Sequence, residues 1–200
     1  MDIMKPTQPA VPHKDISQGL AAIDNAEETL SDFKKVSKPA TEEATNLVKA
    51  AKDLVKEVIF NCDESNKKLH SGEWTQGQFD QARVNLRQKQ EKAWEALHAK
   101  ADVLKQKLEG PYKLVLASKE NITRARGDNV TGAVFGMLTE DQKQVRKVFD
   151  NKLKFGFEEA AVAYSGLASY PDGLLTQIAG LQKQANERLN VGVTCPEQAK

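Results

Sequence analysis

The sequence predicts an all-α protein, an elongated antiparallel bundle of about five or six helices, two or three of them long and coiled-coil-like. Three observations carry this expectation. Apolar residues recur at three- and four-residue intervals almost throughout the 200 residues. No alternating strand pattern survives a full pass. Two helix-opening signatures, Thr75-x-x-Gln78 and Thr139-x-x-Gln142, stand where such helices would begin.

The opening stretch, "MDIMKPTQPAVPHKD", holds three prolines and no apolar run. It reads as a flexible arm over residues 1–13, not as a signal peptide. The expectation is a cytoplasmic or assembly-bound protein, or an extracellular one if the chain shown is a mature form. Residues 14–190 are expected to form a single bundle domain, and 191–200 a loose tail.

A first helix is expected over 14–37, with Ile16, Leu20, Ile23, Leu30 and Phe33 on one stripe. Pro39 should end it, because the residue before a proline is pushed out of the α region. Thr41 is a suitable N-cap for a second helix, and Glu42 and Glu43 suit the positive end of its dipole. That helix carries a wide apolar face from Ala44 to Cys62, enough for more than one neighbour. Cys62 continues the face and reads as a small buried apolar residue.

Gly72 and Gly77 mark a turn. The third helix follows with Phe79, Ala82, Leu86, Ala93, Leu97, Leu104 and Leu108 near heptad spacing. Gln90 interrupts that seam, as residues that set register do. Gly110-Pro111 should close it. A shorter helix, "YKLVLASKENITRA", leads to a glycine-rich stretch, 126–138, expected to be a loop and a subdomain break. The helix opened by Thr139 carries Val145, Phe149, Leu153, Phe157 and Ala160, with Gly156 marking a bend or a close approach. "YPDG" at 170–173 is a turn by composition, and a last helix runs through Leu174, Ile178, Leu181, Ala185 and Leu189.

Net charge is +1, which argues against a dedicated nucleic-acid binder. The distribution is uneven. Residues 1–65 carry 8 Lys/Arg against 12 Asp/Glu, and 66–154 carry 18 against 11. Antiparallel neighbours that complement each other's charge account for this. No stretch is long and apolar enough to span a membrane.

No catalytic motif is present. The one Glu-x-x-His, Glu95 with His98, lacks the second copy that a di-iron bundle needs. No metal site and no cofactor are therefore expected, and the protein is read as non-enzymatic. Its expected role is protein–protein interaction or structural assembly, with one or more protein partners and a place in a larger assembly.

The candidate binding residues are Trp74, in a glycine-flanked turn, and Arg126-Gly127-Asp128, the tripeptide of integrin ligands, in the expected loop. Asn121 and Asn129 head glycosylation sequons, usable only in the secretory pathway. Cys62 and Cys195 could form one disulfide in an oxidising compartment. Two alternative readings follow: a secreted or surface-exposed helical protein that engages a host receptor through this loop, and an amphipathic bundle that contacts membranes.

Overall fold

The computed structural model describes the backbone of residues 13–130, 147, 153–167 and 173–191, and the side chains of 21–124, 147, 153–167 and 173–191. All regular structure among these residues is helical. Four helices are described: α1 (His13–His70), α2 (Gln76–Val130), α3 (Lys154–Leu167) and α4 (Leu174–Asn190).

Two expected breaks do not occur. α1 runs through Pro39 and α2 through Gly110 and Pro111, so two pairs of expected helices merge into two long helices. A proline inside a helix deletes one backbone hydrogen bond and costs about 3 kcal/mol. Tertiary packing outweighs it at both places. Ser37, Ala40 and Ala44 are buried around Pro39, and Leu108 and Val115 around Pro111. Thr41 is not an N-cap. Its hydroxyl donates back to the Ser37 carbonyl at 2.9 Å, inside the continuing helix. "YKLVLAS" is helical, not a strand.

Other local expectations hold. Thr75 and Gln78 form a reciprocal capping box. The Thr75 N–H donates to Gln78 Oε1 at 2.9 Å, and the Gln78 N–H donates to Thr75 Oγ1 at 3.3 Å. Gly72 has φ +75°, a left-handed conformation that ends α1 at little cost only in glycine. Gly77, by contrast, lies inside α2. The second capping box at Thr139 lies outside the described residues.

Buried positions recur every three or four residues. On α1 they include Ile23, Ala26, Phe33, Ser37, Ala40, Ala44, Leu47, Ala51, Val58, Cys62 and Ser65. On α2 they include Phe79, Leu86, Gln90, Trp94, Leu97, Ala101, Leu104, Leu108, Val115, Ser118 and Ile122. Ile59, expected on the apolar face, is exposed instead.

The chain divides into two compact units, Met1–Val36 with Glu109–Val162, and Ser37–Leu108 with Ala163–Lys200. The boundaries at 36 and 108 fall three residues before Pro39 and Pro111. In the second unit α1 and α2 run antiparallel, with Cys62 meeting Arg83 and Glu57 meeting Lys89. α4 runs antiparallel to α2, with His98 meeting Gln182 and Arg87 meeting Asn190. In the first unit Ser118 of α2 meets Asn25 and Thr29 of α1, Phe33 meets Tyr112, and Gly156 of α3 lies against Leu30.

Candidate functional site

The two units offer different chemistry. In the unit of Ser37–Leu108 and Ala163–Lys200, polar side chains bridge the helices. Arg83 occupies the seam position between Phe79 and Leu86, where an apolar residue would ordinarily sit. Its Nη1 donates to Cys62 Sγ at 2.7 Å and its Nη2 to Asn66 Oδ1 at 3.2 Å. Its guanidinium carbon lies 5.1 Å from the centroid of the Phe79 ring. Arg83 Nε is buried and has no hydrogen-bond acceptor.

One turn on, Arg87 Nη2 donates to Asn190 Oδ1 at 3.2 Å. Arg188 of α4 pairs with Asp63. Burial pushes the Cys62 thiol above its ordinary range, against the pull of Arg83 and Arg188. The thiol therefore stays protonated at neutral pH and does not serve as an anion for the guanidinium beside it.

Deeper in the same unit, Gln90 and Trp94 are both buried. The Trp94 indole N–H donates to Gln90 Oε1 at 3.0 Å, while Gln90 Nε2 is left without a partner. His98 bonds Gln182 of α4 at 2.8 Å.

The unit of Met1–Val36 and Glu109–Val162 holds a groove of about 240 Å³ between α1 and α2. Phe33, Val36, Pro111 and Leu114 form its apolar part, Glu28 and Asp32 its acidic edge, and Asn25 and Thr29 its polar end. Asp32 is paired with Lys35 at 2.8 Å.

The predicted site residues scatter. Trp74 is half-buried. Its ring lies 4.8 Å from Lys68 Nζ, and its backbone N–H bonds the Lys68 carbonyl at 3.0 Å. The exposed contact expected of it is thus partly covered by the end of α1. Arg126, Gly127 and Asp128 fall on helical backbone at the end of α2, not in a loop, and Asn129 does too. Residues 131–138 of the expected loop lie outside the described residues. Asn121 is exposed on α2. Cys62 is buried and unbridged, and Cys195 lies outside the described residues.

Among the described residues no group of three His, Cys, Asp or Glu could hold a metal ion, and no helix is long and apolar enough to cross a membrane. The arginine cluster was missed in the sequence. The signal for it was the spacing 79, 83, 86, 90, which puts Arg83 on the seam. No family description matches the chain, and neither a curated protein nor a solved structure matches it.

Proposed function

We propose that this chain is a non-enzymatic helical interaction protein that works as one component of a larger protein assembly. It would be an elongated antiparallel bundle whose two long helices pair along a coiled-coil seam. The three- and four-residue spacing of buried positions on α1 and α2 supports that geometry.

The observation that carries the functional reading is a set of large apolar side chains on the outer faces of helices whose core faces are already filled. Phe60, Leu114 and Phe155 are each 65% exposed. Phe60 lies two residues before the buried Cys62, about 200° around the helix, so it points away from the core stripe. Exposed aromatic side chains of this kind anchor protein contacts.

The test is affinity capture of the full chain from its source with quantification of co-purifying proteins. A partner retained in stoichiometric amount by the wild type and lost with Phe60→Asp is the expected result. Equal retention by both, or none by either, contradicts the proposal.

The receptor-binding alternative drew on an exposed loop at Arg126-Gly127-Asp128, and α2 carries that tripeptide instead. Its test is loss of cell adhesion on Asp128→Ala. The membrane alternative would take "VTGAVFGML" as its apolar element, and of that stretch only Val130 is described. Co-sedimentation with anionic liposomes that weakens with salt is the result it requires.

A further inference from the structure

Two of the exposed large apolar residues, Val36 and Leu114, stand on opposite walls of one groove. It is the groove between α1 and α2 in the unit of Met1–Val36 and Glu109–Val162. The buried Phe33 and the half-buried Pro111 complete its apolar part. Along α1 it extends from Asn25 to Val36, about 17 Å at 1.5 Å per residue, or about three helical turns. Its volume of about 240 Å³ falls below the roughly 300–1,000 Å³ of small-molecule sites. A cleft of that length and shallow volume suits the side chains along one face of a helix better than a compact ligand.

The two walls differ in charge. Glu28 and Asp32, one turn apart and both exposed, edge the α1 wall, whereas α2 contributes Pro111 and Leu114. None of the eight lining residues is Lys or Arg. The acidity belongs to the whole segment: residues 21–33 hold Asp24, Glu27, Glu28 and Asp32 and no Lys or Arg. Lys35 pairs with Asp32 at 2.8 Å, but both side chains are largely exposed, and such a pair yields to a competing cation at little cost. At the polar end, Asn25 and Thr29 accept from or bond Ser118 within the unit. The groove is thus an apolar trough with one acidic edge.

That charge pattern selects the occupant. The acidic edge repels an anionic lipid surface and a phosphate backbone. A helix that lays an apolar stripe into the trough and carries Lys or Arg along one flank satisfies both walls at once. We propose that the groove lined by Phe33, Val36, Pro111 and Leu114, with Glu28 and Asp32 at its edge, docks a basic amphipathic helix of a partner protein. The basic flank lies on the α1 side and the apolar anchors between Val36 and Leu114. This rests on the reading of the chain as an interaction protein and gives the chemistry of the partner for one of its surfaces.

The test is selection of random peptides of about 15 residues, about four helical turns, displayed against the full chain, followed by anisotropy titration of the recovered peptides. Four variants accompany the wild type: Leu114→Gln, Glu28→Lys and, as controls, Leu116→Gln and Phe60→Asp. All four positions are exposed, so the fold is retained, and circular dichroism checks this. The expected peptides carry an excess of Lys and Arg beside regularly spaced apolar residues. Their binding should weaken by about tenfold in Leu114→Gln and in Glu28→Lys, and remain unchanged in both controls. Peptides without that excess, or affinities that Glu28→Lys leaves unchanged, overturn the basic partner. No saturable binder, or an equal loss in Leu116→Gln, overturns the groove. A concentration-dependent dimer of the wild type that Leu114→Gln abolishes makes a second copy the occupant and also overturns the proposal. If the groove fails while Phe60-dependent capture persists, the interaction reading stands without it; if both fail, that reading falls too.

Discussion

The unit of Ser37–Leu108 and Ala163–Lys200 and the unit of Met1–Val36 and Glu109–Val162 are built from the same two long helices, with the same spacing of buried residues, yet are held together differently. The first is bridged by long polar side chains: Arg83 to Cys62 and Asn66, Lys89 to Glu57, Arg188 to Asp63, and His98 to Gln182. It also buries Trp94, the largest fully buried side chain described. The second relies on small residues and close approach. Ser118 bonds Asn25 and Thr29 at 3.2 and 3.4 Å, and Gly156 lets α3 lie against Leu30. Geometrically specific bridges fix register, whereas close approach fixes distance. The unit of Ser37–Leu108 and Ala163–Lys200 is accordingly expected to be the more resistant to local opening.

The sharpest way to break this comparison is to remove Trp94. Trp94→Ala leaves a large cavity and deprives Gln90 of its donor, and should cost about 3–5 kcal/mol in a denaturant melt. A loss below about 1 kcal/mol would mean that this core is not what holds the unit. Next come the prolines. Pro39→Ala and Pro111→Ala each restore a backbone donor and remove a ring from a helix interior. Each should stabilise the protein, by up to about 3 kcal/mol. A destabilising result at either position would show that the helix depends on the proline ring there.

Gly156 tests the unit of Met1–Val36 and Glu109–Val162. A Cβ built there would stand 2.7 Å from Leu30 Cδ1. Gly156→Ala meets only the end of a flexible side chain and should cost little. Gly156→Val should cost about 1–3 kcal/mol through overpacking. Gly180 on α4 has nothing within 4 Å of its built Cβ, so Gly180→Ala should instead stabilise by about 0.5–1 kcal/mol. Thermal melts of the three variants should give opposite signs for Gly180→Ala and Gly156→Val.

The smallest effect is a pH dependence. Burial raises the folded-state pKa of Cys62 above its ordinary value of 9.0. Below that pH the thiol is protonated in both states, and its contribution to stability is fully present. As pH rises through 9.0 the unfolded chain ionises first, so stability falls until the folded thiol also titrates. Melts between neutral pH and pH 10 should show a steeper decline for the wild type than for Cys62→Ala. Parallel curves would remove Cys62 as the cause.

The helical class, the buried stripe, the Thr75/Gln78 capping box and the close approach at Gly156 were all legible, because each rests on residues a few positions apart. The proline rule misled at Pro39 and at Gly110-Pro111, because it is a local preference and the flanking seam residues outweigh it. α2 also continues through Arg126-Gly127-Asp128, where a loop was expected. The arginine cluster was illegible as a cluster. Arg83 and Cys62 are 21 positions apart, and Arg188 and Asp63 are 125 apart. No spacing rule joins such pairs before the helices are placed.

Residue-resolved hydrogen exchange under native conditions tests the contrast between the two units most directly. Amides at the buried positions from Ala44 to Ser65 and from Leu86 to Leu108 should exchange only through global unfolding. Those from Ile23 to Phe33 and from Val115 to Ile122 should open at lower free energy, through local unfolding of the unit packed through Ser118 and Gly156. Uniform protection along α1 and α2, or faster exchange in the bridged unit, would contradict the account.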